Sequence, residues 1–321
     1  MEMVRDQYRH LPLVPTANDC AGGTYIVTGA NTGLGFEAAK HLVQLQAKKV
    51  IIGVRSLSKG EDAKAKIEAE VGRRGIVDVW QLDLASFQSV NNFAKRVDTL
   101  DRVDAIIENA GVAMLQKTMS EGLETSITVN VVSTLLLASL VLPKLQQSAQ
   151  QFNITPHLVL VGSETAFQVK GVLEKVNGDI FESLTRGSIE QRYPTTKLLE
   201  LYALREFASH RLPSETGVVI NYVNPGLCKT DLSRNASFGL RMAITTANFL
   251  LGRTAEMGSR NLMYATVAGK ESHGKYLSDC MIRDYRVTNA KWITNASGQS
   301  IQKRVWESLT KKLDAVHPGW F

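Results

Sequence analysis

A chain of 321 residues with 44% hydrophobic and 21% charged side chains can bury a sizeable core as an ordinary soluble globular protein. Its net charge of +6 is scattered, without a dense run of Lys and Arg interleaved with aromatics, which argues against a nucleic-acid partner. The three cysteines, Cys20, Cys228 and Cys280, lie far apart with no C-x-x-C, which excludes a disulfide framework and points to reduced thiols in a cytoplasmic protein.

Residues 1–23 carry Pro12, Pro15 and Gly22-Gly23 and read as an N-terminal extension, partly ordered at best. They show no basic segment followed by an apolar run, so no signal peptide is expected. From Thr24 onward, strand and helix patterns alternate with no linker or repeat. This predicts one doubly wound α/β domain over residues 24–321, a parallel sheet with helices on both faces.

The first unit, Thr24 to Gly35, sets the theme. Tyr25-Ile26-Val27 is a β-rich run, and Thr28-Gly29-Ala30-Asn31-Thr32-Gly33-Leu34-Gly35 is a glycine turn. Phe36, Ala39 and Val43 then recur at helical spacing. A strand, a glycine turn and a helix start make a phosphate cradle, because the helix N-terminus offers unpaired N–H groups and glycine admits close backbone approach. The spacing is G-x-x-x-G-x-G, not the common G-x-G-x-x-G, and an ordinary strand-to-helix loop can use the same glycines.

Lys49 to Val54 predicts a second strand, ending at Arg55-Ser56 with no carboxylate where a ribose hydroxyl would otherwise be bound. A guanidinium there can grip a 2′-phosphate that a carboxylate would repel, so Arg55 argues for NADP(H), with Lys59 and Asn31 as further candidates for that pocket. A helix is expected over Lys59 to Gly72 and a third strand over Ile76 to Leu82. Asp83-Leu84 follows, where the carboxylate could accept from an adenine amino group or simply cap a turn. Val90, Phe93, Ala94 and Val97 mark the next helix. Val103 to Ile107 is the fourth strand and ends at Asn109-Ala110-Gly111.

A long helix is expected over about Gly122 to Gln147, its apolar second half buried against the sheet or a second subunit. That leaves a homodimer or homotetramer open. The apolar stretch Val129 to Pro143 is too short and too interrupted by Asn130, Ser133, Thr134 and Ser139 to predict a transmembrane segment. His157 to Gly162 is the fifth strand and Gly217 to Val223 the sixth, closed by Asn224-Pro225-Gly226. Residues 227–270 look helical, Lys275 to Ser278 forms a last edge strand, and 298–314 a final helix.

Tyr193-Pro194-Thr195-Thr196-Lys197 opens a helix and puts a phenol and an amine about one turn apart on one face. A nearby ammonium lowers a phenol's pKa, so such a tyrosine can exchange a proton with a carbonyl or an alcohol oxygen. Lys197 could also hold a ribose hydroxyl. The pair alone is common on ordinary helices.

Taken together and in order, these motifs resemble the short-chain dehydrogenase/reductase family over roughly residues 24–230. T-G-x-x-x-G-x-G falls on Thr28, Gly29, Gly33 and Gly35, and Asn-Ala-Gly on Asn109, Ala110 and Gly111. The helix asparagine falls on Asn130, the serine on Ser163, Y-x-x-x-K on Tyr193 and Lys197, and P-G-x-x-x-T on Pro225, Gly226 and Thr230. The resemblance implies that Ser163 hydrogen-bonds the substrate oxygen beside Tyr193 and that Asn130 holds a water next to Lys197. It also implies that Thr230 and the backbone near Leu227 close over the nicotinamide half of the cofactor.

Three departures stand out. Glu108 replaces a second asparagine often found before Asn-Ala-Gly, and 29 residues separate Ser163 from Tyr193. The added residues, including Lys170 to Arg186, are expected to shape a substrate wall. The region beyond Thr230 is long, and Leu232, Phe238, Leu240, Met242 and Ile244 suggest an apolar lid within about 227–260. Such a lid is similar to those of the retinol dehydrogenases and of reductases of fungal secondary metabolism. The expected activity is NADP(H)-dependent interconversion of a ketone or aldehyde and an alcohol, on a fairly large apolar or aromatic small molecule. An NADP-binding regulator without turnover, or a redox-neutral epimerase, dehydratase or cyclase, would use the same features.

Overall fold

The computed structural model describes residues 7–229, 252–285 and 290–320. Eight strands form one sheet: β1 (Thr24–Thr28), β2 (Lys49–Val54), β3 (Val77–Gln81), β4 (Ala105–Glu108), β5 (His157–Val161), β6 (Val219–Asn224), β7 (Tyr276–Ser278) and β8 (Met281–Arg283). Their order is 8-7-6-5-4-1-2-3. Every neighbouring pair is parallel except β7 with β8.

The strands are continuous apolar runs because both faces are covered. On β1, Ile26 faces one layer while Tyr25 and Val27 face the other, the period-2 alternation of a pleated strand. Helices α1 (Gly33–Gln44), α2 (Leu57–Val71) and α7 (Ala255–Ala265) cover the face of Val27. Helices α3 (Phe87–Asp98), α4 (Thr134–Phe152), α6 (Arg192–Ser209) and α8 (Ala296–Val316) cover the face of Ile26, joined by the short α5 (Ile180–Arg186). This is a doubly wound α/β sheet. Strand order reverses between β1 and β4, and the crevice beyond the carboxyl ends there is where such folds bind ligands.

Four expectations are corrected. Gly122 to Glu124 do not start the long helix: Met119–Ser120 and Leu123–Glu124 pair as a small hairpin, and helix begins at Thr125. That helix passes through a π-helical segment, Thr128–Ser133, and continues to Phe152. The whole run Thr125–Phe152 is long and apolar enough to cross a membrane by length and composition, yet most of it is buried inside the fold. β7 is not an edge strand, because β8 pairs outside it. Of residues 227–270, the described helical part is Ala255–Ala265, and residues 252–254 and 266–269 are not helical.

Residues 7–23 run largely along the surface, anchored by the fully buried Leu11 and Cys20. Phe249 to Leu251 and the expected lid residues Leu232, Phe238, Leu240, Met242 and Ile244 lie outside the described residues.

Candidate active site

The loops that follow β1 to β6 at the carboxyl edge of the sheet each carry one of the singled-out segments. The glycine turn follows β1, Arg55 follows β2, Asp83-Leu84 follows β3 and Asn109-Ala110-Gly111 follows β4. Ser163 follows β5 and Pro225-Gly226 follows β6.

The glycine turn and the β4 loop are locked together. Thr28 Oγ1 accepts from the backbone N–H groups of Asn109 (3.0 Å) and Ala110 (2.9 Å), and Asn109 Nδ2 donates to Thr28 O at 2.9 Å. Gly29 has φ +66, and a Cβ there would lie 2.9 Å from Ala110 Cα. A Cβ on Gly35 would sit 2.6 Å from Asn109 Nδ2. Glycine at these two places lets α1 begin hard against the β4 loop, with its first N–H groups directed at the crevice. Asn31, Thr32, Gly33 and Leu34 are half-buried along the turn.

Arg55 is exposed just past β2, and the next residue, Ser56, caps α2 by accepting from Lys59 N–H. Asp83 Oδ1 accepts from Ala85 N–H at 3.0 Å, closing a local turn, so one carboxylate oxygen is committed to structure.

Tyr193 and Lys197 stand on the first turns of α6. The helix start is anchored by Arg192, buried, which donates to Ser188 O at 2.8 Å and to Leu184 O and lies 3.4 Å from the buried Glu124 carboxylate. Lys197 Nζ lies 6.0 Å from the Tyr193 ring centre. It donates to Val161 O at 2.7 Å and to Glu200 Oε2 at 2.8 Å. Ser163 lies near enough to the Tyr193 hydroxyl to favour its ionised form slightly, and its Oγ accepts from Thr165 N–H at 3.2 Å and from Thr165 Oγ1 at 3.0 Å. Tyr222 ties strand and helix together: its hydroxyl donates to Lys197 O at 2.9 Å and accepts from Ser163 N–H at 3.3 Å. Ser163, Tyr193 and Lys197 are thus brought to one place.

Asn130 sits in the π-helical segment, fully buried. Its Oδ1 accepts from Val112 N–H at 2.8 Å, and its Nδ2 donates to Val112 O at 2.8 Å and Thr196 Oγ1 at 3.0 Å. The Asn130 side chain thereby braces the β4 loop against α6. A Cβ on Gly111 would lie 3.3 Å from Asn130 Oδ1 and 3.9 Å from Lys197 Nζ, so this loop runs beside the lysine. Pro225 and Gly226 are held from behind, where Pro225 O accepts from Arg253 Nη1 and Asn261 Nδ2, each at 3.3 Å. Thr230 lies outside the described residues.

The electrostatics differ from expectation. Burial pushes the Tyr193 phenol above its ordinary value, and the nearby Lys197 ammonium only partly offsets this. Burial opposes the charge on Lys197, but Glu200 and Tyr193 outweigh it and hold the ammonium above its usual range. Burial lifts the Glu200 carboxyl to about 7 despite the lysine. Glu108, at the end of β4, is buried with neither carboxyl oxygen hydrogen-bonded, and burial with the facing Glu200 pushes it well above the carboxylate range. Glu200 escapes sequence reasoning, although its K-x-x-E spacing from Lys197 is visible in the chain.

A doubly wound sheet with these loops at its switch point has the architecture of a nucleotide-dependent oxidoreductase. A family model described as short chain dehydrogenase matches residues 24–169. The chain is 43% identical over 320 residues to the short chain dehydrogenase/reductase dmxR8 of Cryptosporiopsis sp., covering 97% of this chain and 96% of that relative. It is 40% identical over 272 residues to the short chain dehydrogenase atnD of Emericella nidulans, covering 83% and 86%. Among solved structures, it resembles a Sphingobium yanoikuyae short-chain dehydrogenase in complex with NADPH (TM-score 0.61, 20% identity, 83% of this chain and 90% of that one). It also resembles the Pseudomonas aeruginosa RhlG/NADP active-site complex (TM-score 0.60, 22% identity, 80% and 94%). The chain belongs to the short-chain dehydrogenase/reductase family of oxidoreductases.

Proposed function

We propose that the protein is an NADP(H)-dependent ketoreductase that interconverts a ketone or aldehyde and an alcohol, with Tyr193 as the general acid and base. The carrying observation is the meeting of Ser163, Tyr193 and Lys197 beside the β4 loop, which is itself locked to the glycine turn. The donor set fits the dinucleotide: α1 N–H groups for a pyrophosphate, a spare Lys197 N–H for a ribose hydroxyl, and the exposed Arg55 for a 2′-phosphate. No carboxylate follows β2 to repel that phosphate. The NADP-bound state of several structural relatives supports the same choice. Once bound, NADPH supplies the hydride. In reduction, Ser163 donates a hydrogen bond to the substrate carbonyl oxygen, and the Tyr193 O–H bond breaks as its proton passes to that oxygen. Asn130 keeps the β4 loop and α6 in register while this happens.

An apolar or aromatic carbonyl compound is the favoured substrate class, as expected for a reductase of fungal secondary metabolism. The test is incubation with NADPH and a broad panel of ketones and aldehydes, following nucleotide absorbance and product together. Consumption matched one-to-one by alcohol supports the reading. Product without NADPH consumption would move the chemistry to a redox-neutral reaction, and stoichiometric binding without any product would mark a regulator.

A further inference from the structure

Behind the catalytic lysine lies a charge cluster that the reaction as described does not use. Lys197 Nζ has three N–H bonds, and two are occupied by Val161 O at 2.7 Å and Glu200 Oε2 at 2.8 Å. Glu200 is 2% exposed, one turn along α6, with its carboxylate turned inward beneath the site. Glu108 approaches from β4, the strand that ends at the Asn-Ala-Gly loop, with both oxygens lacking a hydrogen-bond partner. An unpartnered carboxyl at that depth keeps its proton, since isolated charge there is prohibitively desolvated. With Glu200 ionised, the cluster carries one positive charge on Lys197, one negative charge on Glu200 and a neutral Glu108 carboxyl.

We propose that Glu200 is a positioning residue that neutralises Lys197 and thereby governs the acid strength of Tyr193. This rests on the reading of Tyr193 as the proton donor. The groups that face Glu200 are Lys197 and Tyr193 on its own helix, Glu108 on β4 and Tyr222 on β6. The 3-10 turn packed on α6 (Glu164–Gln168) brings one further acid, Glu164, which is directed to Asn224 and Tyr276. Lys197 pulls a proton off Tyr193 and Glu200 pushes it back. With Glu200 ionised, its charge opposes that of Lys197, and burial keeps the phenol protonated, ready to donate to a carbonyl. When Glu200 takes up a proton, the Lys197 charge is released and the phenol becomes the stronger acid.

The titration itself needs no substrate; only the accompanying turnover assay uses a carbonyl compound that the panel above shows to be reduced. Ultraviolet difference titration of wild type against Tyr193→Phe isolates ionisation of this one phenol, and the same subtraction is made in Glu200→Gln. The expected result is a downward shift of at least about one pH unit in Glu200→Gln, a tenfold rise in phenolate at fixed pH. Glu200→Asp keeps the charge and should titrate close to wild type. Glu200→Leu, which fills the volume without charge, serves as the second neutral variant if Glu200→Gln does not fold. Coincident titrations in wild type and the neutral variants would overturn the proposal, as would an equal shift in Glu200→Asp, which would mark a packing effect. Turnover of Tyr193→Phe is measured alongside. Persistent turnover there would sink the proton-donor reading itself, whereas an inactive Tyr193→Phe with unmoved titrations sinks the role of Glu200 alone.

Discussion

The two halves of the crevice are built from different physics. Around the glycine turn, the buried groups are mostly apolar, among them Ile26, Val27, Ile51, Ile52, Ala38, Ala39 and Leu42, with Thr24, Thr28 and His41 as the polar exceptions. Position there is enforced by contact, with room for no more than a hydrogen atom on Gly29 and Gly35. Around α6, the buried groups include Lys197, Glu200, Glu108, Arg192 and Glu124. Position there is enforced by charge, at a desolvation cost that an apolar core would not carry. The difference suggests a division of labour. The first half can hold an anionic ligand without responding to pH, whereas the second is built so that protonation changes what it does.

Substitutions can sharpen or break that division. The largest effect is expected for Tyr193→Phe, which should lower turnover by roughly 10²–10⁴-fold, the usual worth of a positioned general acid. NADPH affinity, followed by fluorescence titration, should stay nearly constant. Measurable persistence of activity would remove Tyr193 from the chemistry. Arg55→Asp belongs to the other half and should weaken NADPH by about 10–100-fold, the loss of charge-assisted bonds worth about 1.5–3 kcal/mol. NADH binding should hardly change, and equal losses for both nucleotides would show that the phosphate is held elsewhere.

Gly35→Ala tests enforcement by contact. A Cβ placed 2.6 Å from Asn109 Nδ2 should cost about 1–3 kcal/mol, read from the denaturant midpoint. An unchanged midpoint would mean that the turn relaxes freely. Glu108→Gln tests enforcement by charge and should have the smallest effect. The folded protein keeps a proton on Glu108 that the unfolded chain releases above the ordinary carboxylate value of 4.5, so this group lowers stability as pH rises from there. Glutamine removes the linkage. The variant's thermal midpoint should match wild type below about pH 4.5 and rise above it at neutral and higher pH. A constant offset across the whole range would contradict the charge account.

Much of the fold and of the site is legible in the amino-acid sequence. The strands β1, β2, β5 and β6 fall within two residues of their expected ends, because doubly covered strands are unbroken apolar runs. Tyr193 and Lys197 share a helical face because a four-residue spacing requires it. β8 is not legible: it has three residues, and its turn uses Asp279 and Cys280 at φ +57 and +55 with no glycine or proline to announce it. The hairpin at Met119–Glu124 turns through Glu121 and Gly122, at φ +53 and +78, so Gly122 carries a local signal for it. The π-helical segment after it has none, and it is braced by Asn130 bonding Val112 and by Thr128 Oγ1 donating to Ser120 O at 2.7 Å.

Periodicity and residue chemistry are enough to identify a doubly wound sheet, a glycine turn after its first strand, an arginine without a neighbouring carboxylate after its second, and a phenol paired with an amine. These are short-range properties, set within one turn or one strand. The net charge surrounding that phenol is a different kind of property. In the sequence Glu108 reads as a loop irregularity and Glu200 as one more helix residue, since burial and the distance between β4 and α6 are not written in either segment. Packing sets Glu200 against Lys197 and Glu108 near Glu200, and it removes the water that would have screened them, which turns an ordinary Tyr-Lys pair into a balanced one.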